Sequence, residues 1–185
     1  CHNPDLVHHP GNAFMDEGAF LAFIRERRGF LDGVVISGGE PTLQKDLPAF
    51  LSRVKREGFA VKLDTNGSHP GMIQELMEKR LVDYVAMDVK TDPSLYPSFI
   101  RKNVNPEDIR SSIKRIMASG IAYEFRTTCV RPFVDAETVE AIGRLIQGCS
   151  LYVLQPFRQT RVLDPAFFEN RTAGYDHEEM IGLKA

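Results

Sequence analysis

The sequence predicts an α/β fold in which parallel strands, joined by right-handed helical crossovers, make a partial (β/α)6 TIM-like barrel. The first observation is that strand and helix patterns alternate along the whole chain, with no internal linker, low-complexity tract or repeat. The second is that three successive strands each end in a polar motif: Ser37 to Glu40, Asp64 to Gly67, and Asp88 to Lys90. Polar residues converging from adjacent strands on one rim favour a barrel-like arc over an open doubly wound sheet. Five strands are visible, and one more before Cys1 would complete the set. Residues 1–185 read as a single domain whose first strand is expected to lie upstream.

The opening, Cys1-His2-Asn3-Pro4-Asp5 through Gly11, is polar and rich in turn formers, and reads as a loop. Asp16 is an N-cap candidate for a helix that buries Phe20, Phe23 and Ile24 and stops at Gly29. Gly33–Ser37 is the first visible strand, followed by a helix with Leu47, Phe50, Leu51 and Val54 on one face and Gly58 at its end. The second strand is Ala60–Asp64, the next helix carries Ile73, Leu76 and Met77, and the third strand is Tyr84–Asp88. Thr91 to Asn105 reads as a longer connection containing Pro93 and Pro97. Asn105-Pro106 then supplies N-cap and first helical residue for a helix burying Ile109, Ile113 and Ile116, closed by Gly120. Strand four is Tyr123–Thr128. Asp135 caps a helix with Val139, Ile142 and Ile146, which Gly148 ends, and strand five is Leu151–Leu154. Beyond Pro156 the only periodic stretch is a short helix near Glu178–Leu183.

Composition narrows the class. Of 185 residues, 43% are hydrophobic and 26% charged, which suits a globular domain with a substantial core. A net charge of −2 offers no electrostatic case for nucleic acid as the main partner. No apolar run approaches the ~20 residues that span a bilayer, and nothing resembles a signal peptide, so no membrane partner is expected and the cytoplasm is the expected location. Three widely spaced cysteines, Cys1, Cys129 and Cys149, do not make a disulfide framework.

The stretch Ile36-Ser37-Gly38-Gly39-Glu40-Pro41-Thr42 organises the chain. Two glycines let the backbone turn sharply and approach a ligand, and Pro41 holds Glu40 extended. Together with Cys1-His2-Asn3-Pro4-Asp5, Asp64-Thr65-Asn66-Gly67 and Asp88-Val89-Lys90, it resembles the radical S-adenosylmethionine (SAM) enzymes. The likeness is strongest to the activating enzymes of anaerobic ribonucleoside-triphosphate reductase and of pyruvate formate-lyase. It runs from residue 1 to about residue 160.

The resemblance implies two cofactors, a [4Fe–4S] cluster and SAM. Cys1 is similar to the third cysteine of the family's Cys-x3-Cys-x2-Cys cluster loop, whose first two cysteines would lie upstream of this chain. Gly38 and Gly39 would present backbone groups to the methionine amine of SAM, with Glu40 fixing the turn or adding an acceptor. Asp88 and Lys90 would meet the ribose and carboxylate end. Asp64, Thr65 and Asp88 would bind a monovalent cation near that carboxylate. Reductive cleavage of SAM would give a 5′-deoxyadenosyl radical that abstracts hydrogen from a glycine of a partner protein. A flavodoxin- or ferredoxin-like donor would supply the electron. With one thiolate, the chain alone is expected to hold no normal cluster.

Other residues have plainer readings. Arg126, mid-strand, is expected to point into the barrel, where an unpaired charge is costly, and either to pair with Asp88 or Glu40, the plainer role, or to reach the cofactor. Arg158 sits near the expected rim. His2, His8 and His9 belong to a solvated loop, Cys129 and Cys149 are structural, and Arg25-Glu26-Arg27-Arg28 is an exposed helix face. The rival functions are a radical enzyme acting on a small molecule, such as a deazapurine synthase, a non-catalytic SAM-binding barrel, and a metal hydrolase using the histidines.

Overall fold

Five strands form one parallel sheet in sequential order: β1 (Gly33–Ile36), β2 (Ala60–Thr65), β3 (Tyr84–Asp88), β4 (Ala122–Cys129) and β5 (Tyr152–Pro156). The structure is a computed structural model and describes residues 15–100, 104–158, 162, 165–169 and 172–183. Register pairs Ile36 with Leu63, Asp64 with Ala86, Asp88 with Arg126, and Thr128 with Gln155. Sequential order means every crossover turns the same way, so the connecting helices stack on one face and the other face stays open. This is the partial-barrel arc.

Burial follows the two-residue period of a strand. Val61, Leu63 and Thr65 of β2, and Tyr123, Phe125, Thr127 and Cys129 of β4, are buried, while Lys62, Asp64, Glu124 and Arg126 between them are half-buried. The buried face meets helices α2 (Leu47–Arg56), α3 (Pro70–Glu78), α5 (Pro106–Ala118) and α6 (Ala136–Leu145). Their contributions include Leu51, Val54, Ile73, Leu76, Ile109, Ile113, Ile116 and Ile142, in one core with Leu63, Met87 and Phe125. Each such side chain contributes roughly 1.5–3 kcal/mol by leaving water. The alternate residues make a concave polar face.

Capping follows the sequence. Asp16 accepts from Ala19 N at 2.9 Å and opens α1 (Glu17–Glu26), Asn105 accepts from Glu107 N before α5, and Asp135 accepts from Thr138 N before α6. Asp176 and Glu179 form a reciprocal capping box on α7 (His177–Gly182). Helices α2 and α5 are followed by glycines at positive φ, Gly58 and Gly120.

Three expectations need correction. Phe23 is 39% exposed, with the Arg27 guanidinium 3.7 Å from its ring centroid; Ile24 is the fully buried residue of α1, with Phe20 and Leu21 packed at the edge of the core. Phe20 is half-buried and packs against Phe50. The Thr91–Asn105 connection carries a 3-10 turn (Pro93–Leu95) and a short helix α4 (Tyr96–Phe99). Tyr96 is 2% exposed, its hydroxyl accepts from Lys90 N at 2.9 Å, and burial pushes its phenol pKa up. The tail also packs further than its sequence suggests: Met180 and Leu183 join Cys129, Val134 and Val139 in a second cluster. Arg131 binds Glu179 at 2.7 Å and stacks over Tyr175. Among the described residues, no helix is long and apolar enough to cross a membrane.

Candidate cofactor site

The rim is built from the loops after β1, β2 and β3. Gly38 takes φ +134°, a conformation that L side chains rarely adopt. A Cβ added to Gly38 or Gly39 would meet nothing within 4 Å, so this turn presents bare backbone to open space. Glu40 is extended (φ −137°, ψ 106°) and caps the 3-10 turn Pro41–Leu43. Its Oε1 accepts from Thr42 N (3.2 Å), Thr42 Oγ1 (2.5 Å) and Thr65 Oγ1 (2.7 Å), and its Oε2 accepts from Asn66 N (2.7 Å). Glu40 therefore ties the first loop to the second, and both its oxygens are engaged within the protein.

The second loop is anchored from below. Gly67 (φ +77°) donates its N–H to Thr65 Oγ1 at 3.1 Å, and its carbonyl accepts from Ser112 Oγ of α5 at 2.7 Å. A Cβ at Gly67 would fall 2.0 Å from Met87 Cε. Any larger residue would have to displace the buried Met87 side chain and strain a positive-φ backbone.

The concave face below carries one charge network. Arg126 Nε donates to Asp88 Oδ1 at 2.9 Å, and its Nη1 to Asp64 Oδ1 at 3.4 Å. Lys62 Nζ donates to Glu124 Oε1 at 3.2 Å and lies 3.9 Å from Asp64. Burial pulls the Arg126 pKa down, but Asp88 and Asp64 outweigh it and leave the pKa raised, so the guanidinium stays charged. Tyr84 lies at the deep end of this face, its phenol raised by burial and by Glu124. Two cations thus face three carboxylates. Lys90, two residues past Asp88, is exposed and forms no ion pair among the described residues.

The predicted residues Gly38, Gly39, Glu40, Asp64, Asp88 and Lys90 fall on adjacent loops and strand ends of this rim. Arg126 pairs with Asp88 and does not reach Glu40. Thr65 is 3% exposed on the helix side of β2, opposite Asp64. Cys1 and the three histidines lie outside the described residues. Sequence reasoning overlooked Lys62, Glu124, Tyr84 and Ser112. The signals were there: Lys62-x-Asp64 and Glu124-x-Arg126 alternate with apolar neighbours, and Ser112 interrupts an isoleucine stripe.

The residues fit SAM. The open Gly38–Gly39 backbone, the second oxygen of Asp88 and Lys90, which has no ion-pair partner among the described residues, offer groups complementary to an amine, a ribose and a carboxylate. The described thiols do not fit a cluster: Cys129 is buried on the helix side at the end of β4, and Cys149 precedes β5 at the other end of the sheet.

A sequential parallel sheet with a polar concave face and an open glycine turn at its C-terminal rim defines a cofactor-binding partial barrel. The profile of the Radical SAM superfamily matches residues 1–146, and the chain belongs to that family. Membership implies SAM and a [4Fe–4S] cluster as cofactors. A Methanocaldococcus jannaschii protein provisionally named glycyl-radical enzyme activating enzyme is 41% identical over 143 residues, 75% of this chain and 60% of that protein. The 7-carboxy-7-deazaguanine synthase of Thermococcus kodakarensis is 31% identical over 136 residues, 73% of this chain and 52% of that protein. This chain therefore spans half to three fifths of the length of these relatives. The crystal structure of a domain of pyruvate-formate lyase-activating enzyme from Bacteroides vulgatus shares the fold, with a TM-score of 0.65 at 19% identity, over 83% of this chain and 91% of that one.

Proposed function

We propose that the chain is the core of a glycyl-radical enzyme activase, binding SAM on the rim and acting on a partner protein. The observation that carries this reading is the joining of three rim loops around one open turn, with Glu40 bound to Thr65 and Asn66 and Asp64 and Asp88 bound to Arg126. The 41% identical M. jannaschii relative supports the activase class.

In this reading Gly38 and Gly39 offer peptide groups to the methionine amine. Glu40 holds their turn against the second loop. Asp88 and Lys90 receive the ribose and carboxylate end, Arg126 keeps the Asp88 carboxylate aimed, and Asp64 steadies Arg126. When bound beside a reduced four-iron cluster, SAM supplies a hydrogen-abstracting radical. Cys1 is the proposed contribution of this chain to that cluster. The open concave face leaves room for an incoming glycine loop, and a flavodoxin- or ferredoxin-like protein is the proposed electron donor.

A second reading has one observation in its favour, the 31% identity to a 7-carboxy-7-deazaguanine synthase, and makes the substrate a small heterocycle. Release of 5′-deoxyadenosine by the reconstituted enzyme separates the two. Release that rises with a glycyl-radical enzyme and leaves a glycyl radical on it supports the activase. Release that responds only to a small heterocyclic substrate supports the synthase, and no release under either condition supports a non-catalytic barrel.

A further inference from the structure

The expected monovalent-cation site of Asp64, Thr65 and Asp88 does not fit the side-chain geometry. The Thr65 hydroxyl lies on the helix side of β2, donating to Glu40 Oε1 at 2.7 Å and accepting from Gly67 N. Asp64 and Asp88 point the other way, and the space between their carboxylates is already spanned by Arg126. Its Nε is 2.9 Å from Asp88, its Nη1 is 3.4 Å from Asp64, and the same Nη1 is 3.9 Å from Glu124. A metal ion placed between Asp64 and Asp88 would sit against that guanidinium, two positive charges in contact range. Among the described residues no three His, Cys, Asp or Glu side chains are grouped to hold a metal.

We propose that the Arg126 guanidinium takes the place of a monovalent metal cation on this rim, so that SAM binding needs no alkali ion. The inference deepens the reading of the rim as a SAM site, and its second half rests on that reading. Arg126 suits the role chemically. Its charge is permanent, its side chain is only 14% exposed, and its planar fork can hold two carboxylates at once. Nη2 makes no hydrogen bond to a described residue, which leaves N–H groups to meet the carboxylate of the bound methionine moiety.

A salt series tests both halves. The melting midpoint of the chain is measured in potassium, sodium and choline chloride at equal ionic strength, with thallium(I) NMR as a direct probe for a potassium-type site. SAM affinity is measured in the same salts. The expected result is one midpoint in all three salts, no saturable thallium site, and SAM affinity constant within about twofold. In Arg126→Gln, SAM affinity falls by about tenfold or more in choline and is partly restored by potassium. A potassium-specific rise in the wild-type midpoint, or a saturable thallium site, that Asp64→Asn removes overturns the proposal. So does SAM binding that needs potassium in the wild type. If Arg126→Gln does not fold, the wild-type series decides alone. Absence of SAM binding in every salt sinks the rim reading and the second half with it, while the melting series still decides the first.

Discussion

Arg126 Nε and Asp88 Oδ1 stand 2.9 Å apart, on residues directly paired in register across β3 and β4. The contact closes the concave face at its most charged point, and it places Asp88 where a third strand, through Asp64, shares the same guanidinium. Removing Arg126 would leave Asp64, Asp88 and Glu124 with Lys62 as the one facing cation among the described residues. Arg126→Met should lower unfolding free energy by about 2–3 kcal/mol, the loss for charged hydrogen bonds in a partly buried site. Urea unfolding measures this, and a double-mutant cycle with Asp88→Asn should return a coupling of about 1 kcal/mol or more.

Glu40 acts mainly as a clamp between loops. Glu40→Gln keeps its shape but turns an amide N–H against donors that now point at an oxygen, at a cost of about 1–3 kcal/mol. Hydrogen exchange at the Thr42 and Asn66 amides, which donate to Glu40, should accelerate by about tenfold or more. Unchanged exchange at Asn66 would contradict the clamp.

Two rim glycines should respond in opposite ways. Gly67→Ala forces a side chain into positive φ and into Met87 Cε at 2.0 Å, so it should destabilise by about 2–4 kcal/mol. Gly39→Ala meets nothing within 4 Å and should leave the melting midpoint close to wild type. Thermal unfolding of the pair checks both.

Tyr152 predicts a loss of stability in alkali. Burial pushes its phenol up to about 12, with its hydroxyl donating to Thr127 Oγ1 at 2.8 Å. The unfolded phenol titrates near ~10, so above that pH the unfolded chain gives up its proton first. The stability Tyr152 contributes is therefore fully present below ~pH 10 and is lost as pH rises toward 12. Tyr96 shifts in the same direction. Between ~pH 9 and ~pH 11, wild type should lose more unfolding free energy than Tyr152→Phe.

Much of this is legible in the amino-acid sequence. Period-2 and period-3.6 patterns located all five strands and every helix between them except α4, and Asp16, Asn105 and Asp135 announced their caps because each is a short acceptor before an amphipathic run. The rim could be read from three polar strand ends. Side-chain partnering could not. Whether Glu40 faces a ligand or its own neighbours depends on where β2 delivers Thr65 and Asn66, which is a matter of register and not of local sequence. Phe23 misled because a helical stripe predicts a face and not the extent of the core beneath it. The 3-10 turn and α4 were hidden because two prolines look like a loop until Tyr96 is seen reaching back to Lys90 N.

The central claim is that the glycine turn and its neighbours cradle SAM, and isothermal titration of SAM into wild type and Gly39→Val tests it most directly. The account predicts saturable one-to-one binding in wild type, weakened by about tenfold or more in Gly39→Val while the fold persists. No saturable binding in wild type, or equal binding in the folded variant, would contradict it.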